Sequence, residues 1–178
     1  MATDLRYPIG PFERPETLTP AARDEAITAI ALAPSLLRAA VAGLTPAQLD
    51  TPYRPGGWTV RQVVHHLPDS HVNGYTRLKL ALTEAEPLIK PYDENLWVTL
   101  PEARTAPPEV SLAFLAGLHE RWVLALRALA AADWARSFRH PESGSQNLDS
   151  MVALYAWHGR HHVAHITALR EREGWKAQ

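Results

Sequence analysis

A helical repeat that carries four histidines, near the carboxyl end of the chain, restricts the fold more than any other feature. Residues 155–167 read Y-A-W-H-G-R-H-H-V-A-H-I-T. Apolar or small residues recur there at three- and four-residue steps, which predicts a helix with one apolar face: Leu148, Val152, Tyr155, Gly159, Val163 and Ile166. Residues four apart lie one above the other on a helix, so His158 and His162 form one vertical pair, and His161 and His165 form another.

Two imidazoles one helical turn apart can bind a single divalent ion, as paired histidines do on the helices of zinc proteases. A third ligand has to come from another segment, and the obvious source is His65-His66 in V-R-Q-V-V-H-H-L. We therefore expect a three-histidine metal site between two helices. The spacing does not choose between the two vertical pairs. The alternative is a tract that scavenges metal incidentally, but such tracts are polar and lack apolar periodicity.

Composition points to one soluble domain over residues 1–178 and excludes several classes of partner. The apolar share of 46% and the charged share of 21% are typical of a globular protein. The net charge of −1 has no basic excess that would favour nucleic acid or an anionic membrane surface. No run approaches the roughly 18 apolar residues of a membrane span, and the first residues lack the apolar core of a signal peptide. We therefore expect a cytoplasmic protein.

The chain contains no cysteine. Disulfides, thiolate metal ligands and a cysteine nucleophile are therefore all excluded. A metal site has to use nitrogen and oxygen ligands, which suits zinc, nickel, iron, manganese or copper and does not select among them. If thiol chemistry occurs, the thiol must arrive with a substrate.

The apolar pattern predicts an all-α four-helix bundle with long connections and an extended, proline-containing N-terminal arm over residues 1–18. Long helices are expected from Pro20 to Ala42, from Thr59 through Leu82, from about Glu109 to Ala132, and from Leu148 to Gly174. Pro34 and Pro68 should bend their helices without ending them. No segment shows the alternation of apolar and polar residues that would predict a β-strand of any length.

The connection over residues 85–108 contains five prolines together with aromatic and acidic residues. A loop of this length is uncommon in a compact domain and is often a lid or a partner surface. We therefore expect it to contact the substrate. Residues 133–147 form a second connection, rich in Gly, Ser and Pro.

Several segments resemble the DinB superfamily, and most closely its YfiT-like branch of metal-dependent hydrolases, which includes bacillithiol transferases. The segment P-Y-R-P-G-G-W-T-V-R-Q-V-V-H-H-L, over residues 52–67, is similar to the first metal-ligand helix of that family. The segments Y-P-I-G (7–10), P-Y-D-E (91–94) and W-H-G-R-H-H-V-A-H-I-T (157–167) also resemble that branch. Together these segments extend the resemblance over nearly the whole chain.

The resemblance implies a ligand set and an assembly. Carried onto this sequence, the family pattern implies His66, His161 and His165 as the ligands of one divalent ion. Zinc is the expected ion, with nickel, iron or manganese as alternatives. The other histidines nearby then become supporting or cavity residues: His65, His71, His158 and His162. The resemblance also implies a homodimer.

Three neutral imidazoles leave a position open on the ion, which is typical of a catalytic site. At that position the ion can bind and activate a low-molecular-weight thiol for transfer to an electrophile. The resemblance to bacillithiol transferases favours this hypothesis. The open position can instead hold a metal-bound hydroxide for hydrolysis of a small substrate, the alternative reading. A second alternative is a non-catalytic module that binds metal or a ligand. The candidates for a general base are ordinary carboxylates, Asp69, Asp93 and Glu94.

Overall fold

The computed structural model describes residues 4–175. Over that range the chain forms seven α-helices, one 3-10 helix at Ala131–Ala135 and one two-stranded antiparallel sheet. The helices are α1 (Pro20–Val41), α2 (Pro46–Leu49), α3 (Val60–Thr83), α4 (Glu94–Trp97), α5 (Pro101–Thr105), α6 (Pro108–Arg127) and α7 (Leu148–Glu173). The strands are β1 (Ser137–His140) and β2 (Gly144–Asn147).

The four long helices α1, α3, α6 and α7 form a four-helix bundle, which confirms the predicted fold class. Helix α1 packs on α7 and α6, and helix α3 packs on α6 and α7. Two buried apolar clusters fill the bundle, one containing Ile30 and Trp122 and the other containing Leu67 and Ile166. The histidines of α3 and α7 lie on the faces of these helices that turn toward the bundle interior, since most of them are buried.

Capping residues define the ends of the long helices that carry or contact the histidines. The Thr19 side chain accepts from the Ala22 amide at the start of α1, and Thr59 and Gln62 form a capping box at the start of α3. Asn147 caps α7, and Gly174 ends it in the left-handed conformation at φ 67°. These local signals define the register of the two histidine-bearing helices along the chain.

Pro34 lies inside α1 and Pro68 lies inside α3, and both helices continue past them as predicted. Proline has no backbone N–H, so each removes one bond of the helical ladder. In α1 the bond removed is the one that would reach the carbonyl of Ile30, four residues earlier. The Ile30 carbonyl instead accepts from the ring of His119 on α6, at 2.6 Å.

The connections differ from the prediction in three places. Residues 85–108 include the short helices α4 and α5, and the third long helix ends at Arg127 rather than near Ala132. The connection over residues 133–147 contains a hairpin in which Ser137 pairs with Asn147. Because each strand has four residues and β1 buries only Phe138 fully, no two-residue alternation was visible in the sequence.

The N-terminal arm, over the described residues 4–18, crosses the outside of α7. The indole of Trp157 donates to the Gly10 carbonyl at 3.2 Å, and the Asn147 side chain donates to the Glu16 carbonyl at 2.8 Å. The arm therefore covers the helix that carries four of the histidines. Among the described helices, none has both the length and the hydropathy needed to cross a membrane.

Candidate metal centre

Three histidine side chains converge between α3 and α7: His66, His158 and His162. The Nε2 atom of His158 lies 3.2 Å from Nε2 of His66 and 3.2 Å from Nε2 of His162. One ligand atom from each of the three rings lies within 4.8 Å of the other two. The site therefore takes one ligand from α3 and a vertical pair from α7.

The three rings fit a divalent ion. Nitrogen ligands at about 2.0–2.1 Å from zinc in a tetrahedral arrangement lie roughly 3.3–3.4 Å from one another. The two measured Nε2–Nε2 distances of 3.2 Å are close to that separation. Between residues 4 and 175, the three rings form no hydrogen bond to a carboxylate, so this donor set is made of imidazole nitrogens.

Burial keeps these rings neutral, which is the protonation state that binds metal. Burial, and to a smaller extent the nearby His161, lowers the pKa of His66 to about 3. The pKa values of His158 and His162 also lie well below the usual value, first because of burial and then because of neighbouring histidines. Three neutral ligands would leave the full charge of a divalent ion available to a bound anion.

The trio brought together differs from the trio carried over by resemblance, His66 with His161 and His165. His161 stacks on Trp157, with ring centroids 4.2 Å apart, and its Nδ1 atom is buried without a hydrogen-bond partner among the described residues. His165 stacks on Tyr53 at 3.9 Å, and its Nε2 atom meets the Arg6 carbonyl at 3.1 Å. Both rings turn toward the N-terminal arm and the loop before α3, because α7 presents its other histidine pair to α3.

A chain of hydrogen bonds starts at the ring nitrogen of His158 that faces away from the other two converging rings. We call this chain the buried network. Its first contact joins Nδ1 of His158 to Nε2 of His71 on α3, at 3.1 Å. The next joins Nδ1 of His71 to Nε2 of His119 on α6, at 2.8 Å. The last joins Nδ1 of His119 to the Ile30 carbonyl on α1. The buried network thus links all four long helices to one of the three converging rings.

A shorter chain supports His162, and we call it the arm network. It joins Nδ1 of His162 to Nδ1 of His165 at 3.4 Å, and Nε2 of His165 to the Arg6 carbonyl at 3.1 Å. His65 belongs to neither network. Its ring contacts the Ser111 hydroxyl at 2.7 Å and the Ala106 carbonyl at 3.2 Å, on the side of α5 and α6.

The three converging rings line one end of a cavity of about 330 Å³. The other lining residues come from the loop before α3, from α3, α7, the hairpin and the segment over residues 85–108: Trp58, Ser70, Arg77, Pro91, Tyr92, Glu94, His140, Glu142, Leu154 and Tyr155. Three of them, Pro91, Tyr92 and Glu94, belong to the long connection in which substrate contacts are expected. Burial raises the pKa of Tyr92 to about 12, so this phenol stays protonated.

The candidate carboxylates are distributed unevenly around this cavity. Glu94 lines it but is exposed, whereas Asp93 caps α4 through the Leu96 amide. Asp69 is not part of the cavity wall. Burial, and to a smaller extent the charge of Glu102 on α5, raises the pKa of Asp69 to about 6. Of the three candidates, only Glu94 is near the space that a substrate would occupy.

Sequence reasoning missed Trp58 and Arg77 as site residues. The Trp58 ring lies 4.7 Å from His66 and 6.1 Å from His162, so it forms a wall of the centre. Arg77 lies eleven residues after His66, which is close to three helical turns and therefore on the same face of α3. This spacing was the signal that would have placed Arg77 in the cavity.

A signal for the α7 pair was also present. The buried apolar residues of α7 recur at alternating steps of three and four residues, and this stripe passes through residue 162. They include Val152, Tyr155, Ile166 and Leu169. His162 therefore belongs to the buried stripe of α7, and His158 stands one turn before it.

Comparisons with known proteins give consistent results. The model of the DinB superfamily matches residues 29–166. A Bacillus mycoides (strain KBAB4) protein named "Putative metal-dependent hydrolase" is 55% identical over 172 residues, which cover 97% of this chain and 99% of that protein. A Bacillus cereus (strain 03BB102) protein of the same name is 53% identical over 172 residues, again 97% of this chain and 99% of the relative.

Solved structures agree with the fold. YfiT from Bacillus subtilis, described as a probable metal-dependent hydrolase with an unusual four-helix bundle topology, superposes with a TM-score of 0.95 at 48% identity. The match covers 98% of this chain and all of YfiT. The four-helix bundle protein TT2238 superposes with a TM-score of 0.56 at 23% identity over 82% of this chain and 98% of its own, which supports the fold alone. The family match, the high identity to these relatives and the shared bundle together show that this chain belongs to the DinB superfamily.

Proposed function

We propose that His66, His158 and His162 bind one divalent metal ion per chain, with zinc as the preferred ion. We further propose that the chain transfers a low-molecular-weight thiol such as bacillithiol to an electrophile. The observation that carries this proposal is the convergence of three imidazoles, two buried and one half-buried, in the wall of a cavity. A divalent ion held there supplies Lewis acidity, which lowers the pKa of a thiol or a water molecule near it.

The residues around the centre suit a thiol as the nucleophile. A thiol has a pKa of about 8.5, so it needs less help from a general base than water does. The two carboxylates that line the cavity, Glu94 and Glu142, are exposed. Trp58 and Leu154 supply apolar walls, which limit the access of water to the reacting atoms.

Arg77 orients the substrate in this proposal. Its side chain lines the cavity, and its hydrogen bond is a long one of 3.4 Å to the Tyr155 hydroxyl. None of the ion pairs formed among residues 4–175 includes Arg77. A half-buried guanidinium without a carboxylate partner is suited to bind an anionic group of the thiol or of the electrophile.

The first experiment measures the metal content of untagged protein and then titrates the cobalt-substituted form with bacillithiol or cysteine. We expect about one metal per chain and an intense new absorption band when sulfur binds cobalt. Metal binding without a spectral response to either thiol would overturn thiol transfer. Absence of stoichiometric metal would overturn the centre itself.

Replacement of Arg77 by Gln tests the orienting role. We expect the KM for an anionic substrate to rise about 10-fold or more, because a charged hydrogen bond of roughly 1.5–3 kcal/mol is lost. The metal content should stay unchanged, since Arg77 is not among the converging ligands. A matched control is Arg104→Gln, an exposed arginine in α5 that does not line the cavity. An unchanged KM in the Arg77 variant would contradict the proposal.

Hydrolysis is the second candidate, and the names of the similar Bacillus proteins favour it. In that case water is the nucleophile, and Glu94 or Tyr92 is positioned in the cavity wall to exchange protons with the reacting groups. A panel of esters and amides, assayed with the metal-loaded protein in the absence of thiol, separates the two reactions. A non-catalytic metal-binding module predicts no turnover in either assay.

The homodimer remains a prediction from the family resemblance, and light scattering on the purified protein tests it. A cytoplasmic location likewise remains a prediction, tested by fractionation of cells that produce the protein. Neither prediction alters the chemistry proposed for the centre.

A further inference from the structure

We infer that His71, His119 and His165 are positioning residues that set the tautomers of His158 and His162, so that each of these two rings presents an unprotonated Nε2 at the proposed metal position. This inference rests on the proposed metal centre, but the tautomers themselves exist in the metal-free protein. The argument starts from the backbone carbonyl at the far end of each network, because a carbonyl oxygen can only accept.

In the buried network, the Ile30 carbonyl determines the direction of every hydrogen bond. A neutral imidazole has one N–H donor and one acceptor nitrogen. Nδ1 of His119 therefore carries the proton and donates to the Ile30 oxygen, which leaves Nε2 of His119 as an acceptor. His71 must then donate from Nδ1 and accept at Nε2, and His158 must donate from Nδ1. The remaining nitrogen, Nε2 of His158, is the unprotonated atom that faces His66 and His162.

The opposite order of protons is unfavourable. It would place the unprotonated Nδ1 of His119 2.6 Å from the Ile30 oxygen, so that two lone pairs would face each other in a buried site. An unpaired acceptor in such an environment costs about 1–3 kcal/mol. In the assigned order the unprotonated Nε2 atoms of His158 and His162 also lie 3.2 Å apart, but they face the proposed metal position, where a bound ion satisfies both and where His66 can donate from Nε2 to His158 in the metal-free protein. The Ile30 oxygen instead depends on His119 for the donor that Pro34 lacks, so the carbonyl selects the order in which His119 donates.

Pro34 explains why the Ile30 carbonyl is available deep inside the bundle. In an unbroken helix that oxygen would accept from the amide four residues later, but residue 34 is a proline and has no N–H. His119 supplies the missing donor across the interface between α1 and α6. Pro34 and His119 are therefore complementary, and the proline has a role beyond bending α1.

The arm network applies the same logic to His162. The Arg6 carbonyl accepts, so Nε2 of His165 carries the proton and its Nδ1 is an acceptor. His162 then donates from Nδ1 to His165, which leaves Nε2 of His162 unprotonated. Two ligands from one helix are thus aligned by two separate backbone carbonyls.

The rule of one donor and one acceptor applies only to neutral rings. Burial lowers the pKa of His119 to about 4 and lowers the pKa of His71 well below the usual value, with neighbouring histidines lowering the latter further. Burial also lowers the pKa of His165. The contacts agree with this direction, because among residues 4–175 no ring of either network forms a hydrogen bond to a carboxylate that would stabilise an imidazolium, and the neutral form is therefore the favoured one.

The direct test is long-range proton–nitrogen NMR of the imidazole rings in the metal-free protein near pH 7.5. We expect protonated Nδ1 and unprotonated Nε2 for His158, His162, His71 and His119, and the reverse for His165. A protonated Nε2 with an unprotonated Nδ1 on His158 would overturn the assignment for the buried network. This measurement remains valid even if the metal centre proves wrong, so the two failures can be distinguished.

The second test compares metal affinities by competition with a chelator. His119→Leu removes both the acceptor for His71 and the donor to Ile30, and we expect zinc affinity to fall about 10- to 100-fold, the usual effect of losing a partner that supports a metal ligand. His119→Gln restores one amide donor and one carbonyl acceptor, so its affinity should return to within about 10-fold of the original, below that usual loss. The matched control is His65→Leu, another buried histidine outside both networks.

Circular dichroism on each variant separates loss of folding from loss of the tautomer. If His119→Leu folds and binds zinc as tightly as the original chain, the positioning role is overturned. If His65→Leu weakens binding as much as His119→Leu does, the effect is a general one of buried histidines, which also overturns it. The remaining outcome is that His119→Gln fails to restore zinc affinity while NMR of this variant shows a protonated Nε2 on His158. That result would support the role of His119 and would show that glutamine cannot replace it.

Discussion

The buried network and the arm network perform the same task for neighbouring ligands on α7, but they are built in different surroundings. The buried network passes through two further histidines and ends on a helix carbonyl inside the bundle, with contacts between 2.6 and 3.1 Å. The arm network passes through one histidine and ends on a carbonyl of the N-terminal arm, and its inner contact is 3.4 Å long. The arm itself is largely exposed near Arg6, and Trp157 and Asn147 hold it by donating hydrogen bonds to its backbone carbonyls at Gly10 and Glu16.

This difference shows where each ligand obtains its orientation. His158 on α7 is held by side chains of α3 and α6 and, through them, by a backbone carbonyl of α1, so its direction is a property of the packed core. His162 is held through a segment outside the bundle, where water can replace a lost hydrogen bond at small cost. A substitution in the buried network should therefore lower zinc affinity or stability more than an equivalent substitution in the arm network.

The largest effect is expected when a converging ligand is removed. His158→Ala should abolish stoichiometric zinc binding, because only two imidazoles of the trio remain. The comparison variant is His161→Ala, three residues later on the same helix, which should retain about one zinc per chain. Metal analysis after gel filtration measures both. If His161→Ala lost the metal and His158→Ala kept it, the ligand set implied by resemblance would be correct and the one proposed from the geometry would fail.

The next largest effect is expected from His71→Leu in the middle of the buried network. It leaves a donor on His158 and an acceptor on His119 without partners, at a cost of about 1–3 kcal/mol each, so the free energy of unfolding of the metal-free protein should fall by roughly 2–6 kcal/mol. Urea denaturation followed by circular dichroism measures the change. A loss below about 1 kcal/mol would mean that water or a rearrangement satisfies both groups, and the buried network would not be the rigid element inferred from its contacts.

The pH dependence of stability tests the neutral state of the rings buried in the bundle. The pKa values of about 3 for His66 and about 4 for His119 in the folded protein lie below the usual value of 6.5. Between those limits the unfolded chain binds more protons than the folded chain, so the free energy of unfolding of the metal-free protein should decrease as the pH falls from about 6.5 toward 4. Each such group contributes up to about 1.4 kcal/mol per pH unit.

Urea denaturation at pH 7, 6 and 5 measures that slope. The His119→Gln variant carries one titrating ring fewer in the buried network, so its slope should be shallower than that of the original chain. A stability that stayed constant or rose on acidification over this range would contradict the neutral state of the buried rings.

The smallest effect is expected from His165→Leu in the arm network. Since the arm lies at the surface, we expect zinc affinity to fall by less than about 10-fold, the lower end of the effect usual for a partner that supports a metal ligand. The same chelator competition measures it beside His119→Leu. A larger loss for His165→Leu than for His119→Leu would reverse the proposed ranking of the two networks.

Much of the fold could be read from local patterns. The caps at Thr19, Thr59 and Asn147 and the αL glycine at residue 174 define helix ends through contacts within three or four residues, so the sequence carries them directly. The hairpin over residues 137–147 was not predicted, because its strands are too short to show a period and form through pairing with each other. The helices α4 and α5 were missed for the same reason of length.

The sequence by itself indicated a vertical histidine pair on the last helix and His65-His66 as the source of a third ligand for one metal ion, and the family resemblance implied His66. The apolar stripe of α7 passes through residue 162, but it did not decide between the pairs, because His158 and His161 differ by three residues and a rotation of α7 by about 60° exchanges the two pairs. Tertiary packing decided that rotation when α7 buried Tyr155 and Ile166 against the other long helices. Packing likewise brought the Ile30 carbonyl, His119, His71 and His158 into line from four helices, an alignment that no spacing along the chain encodes.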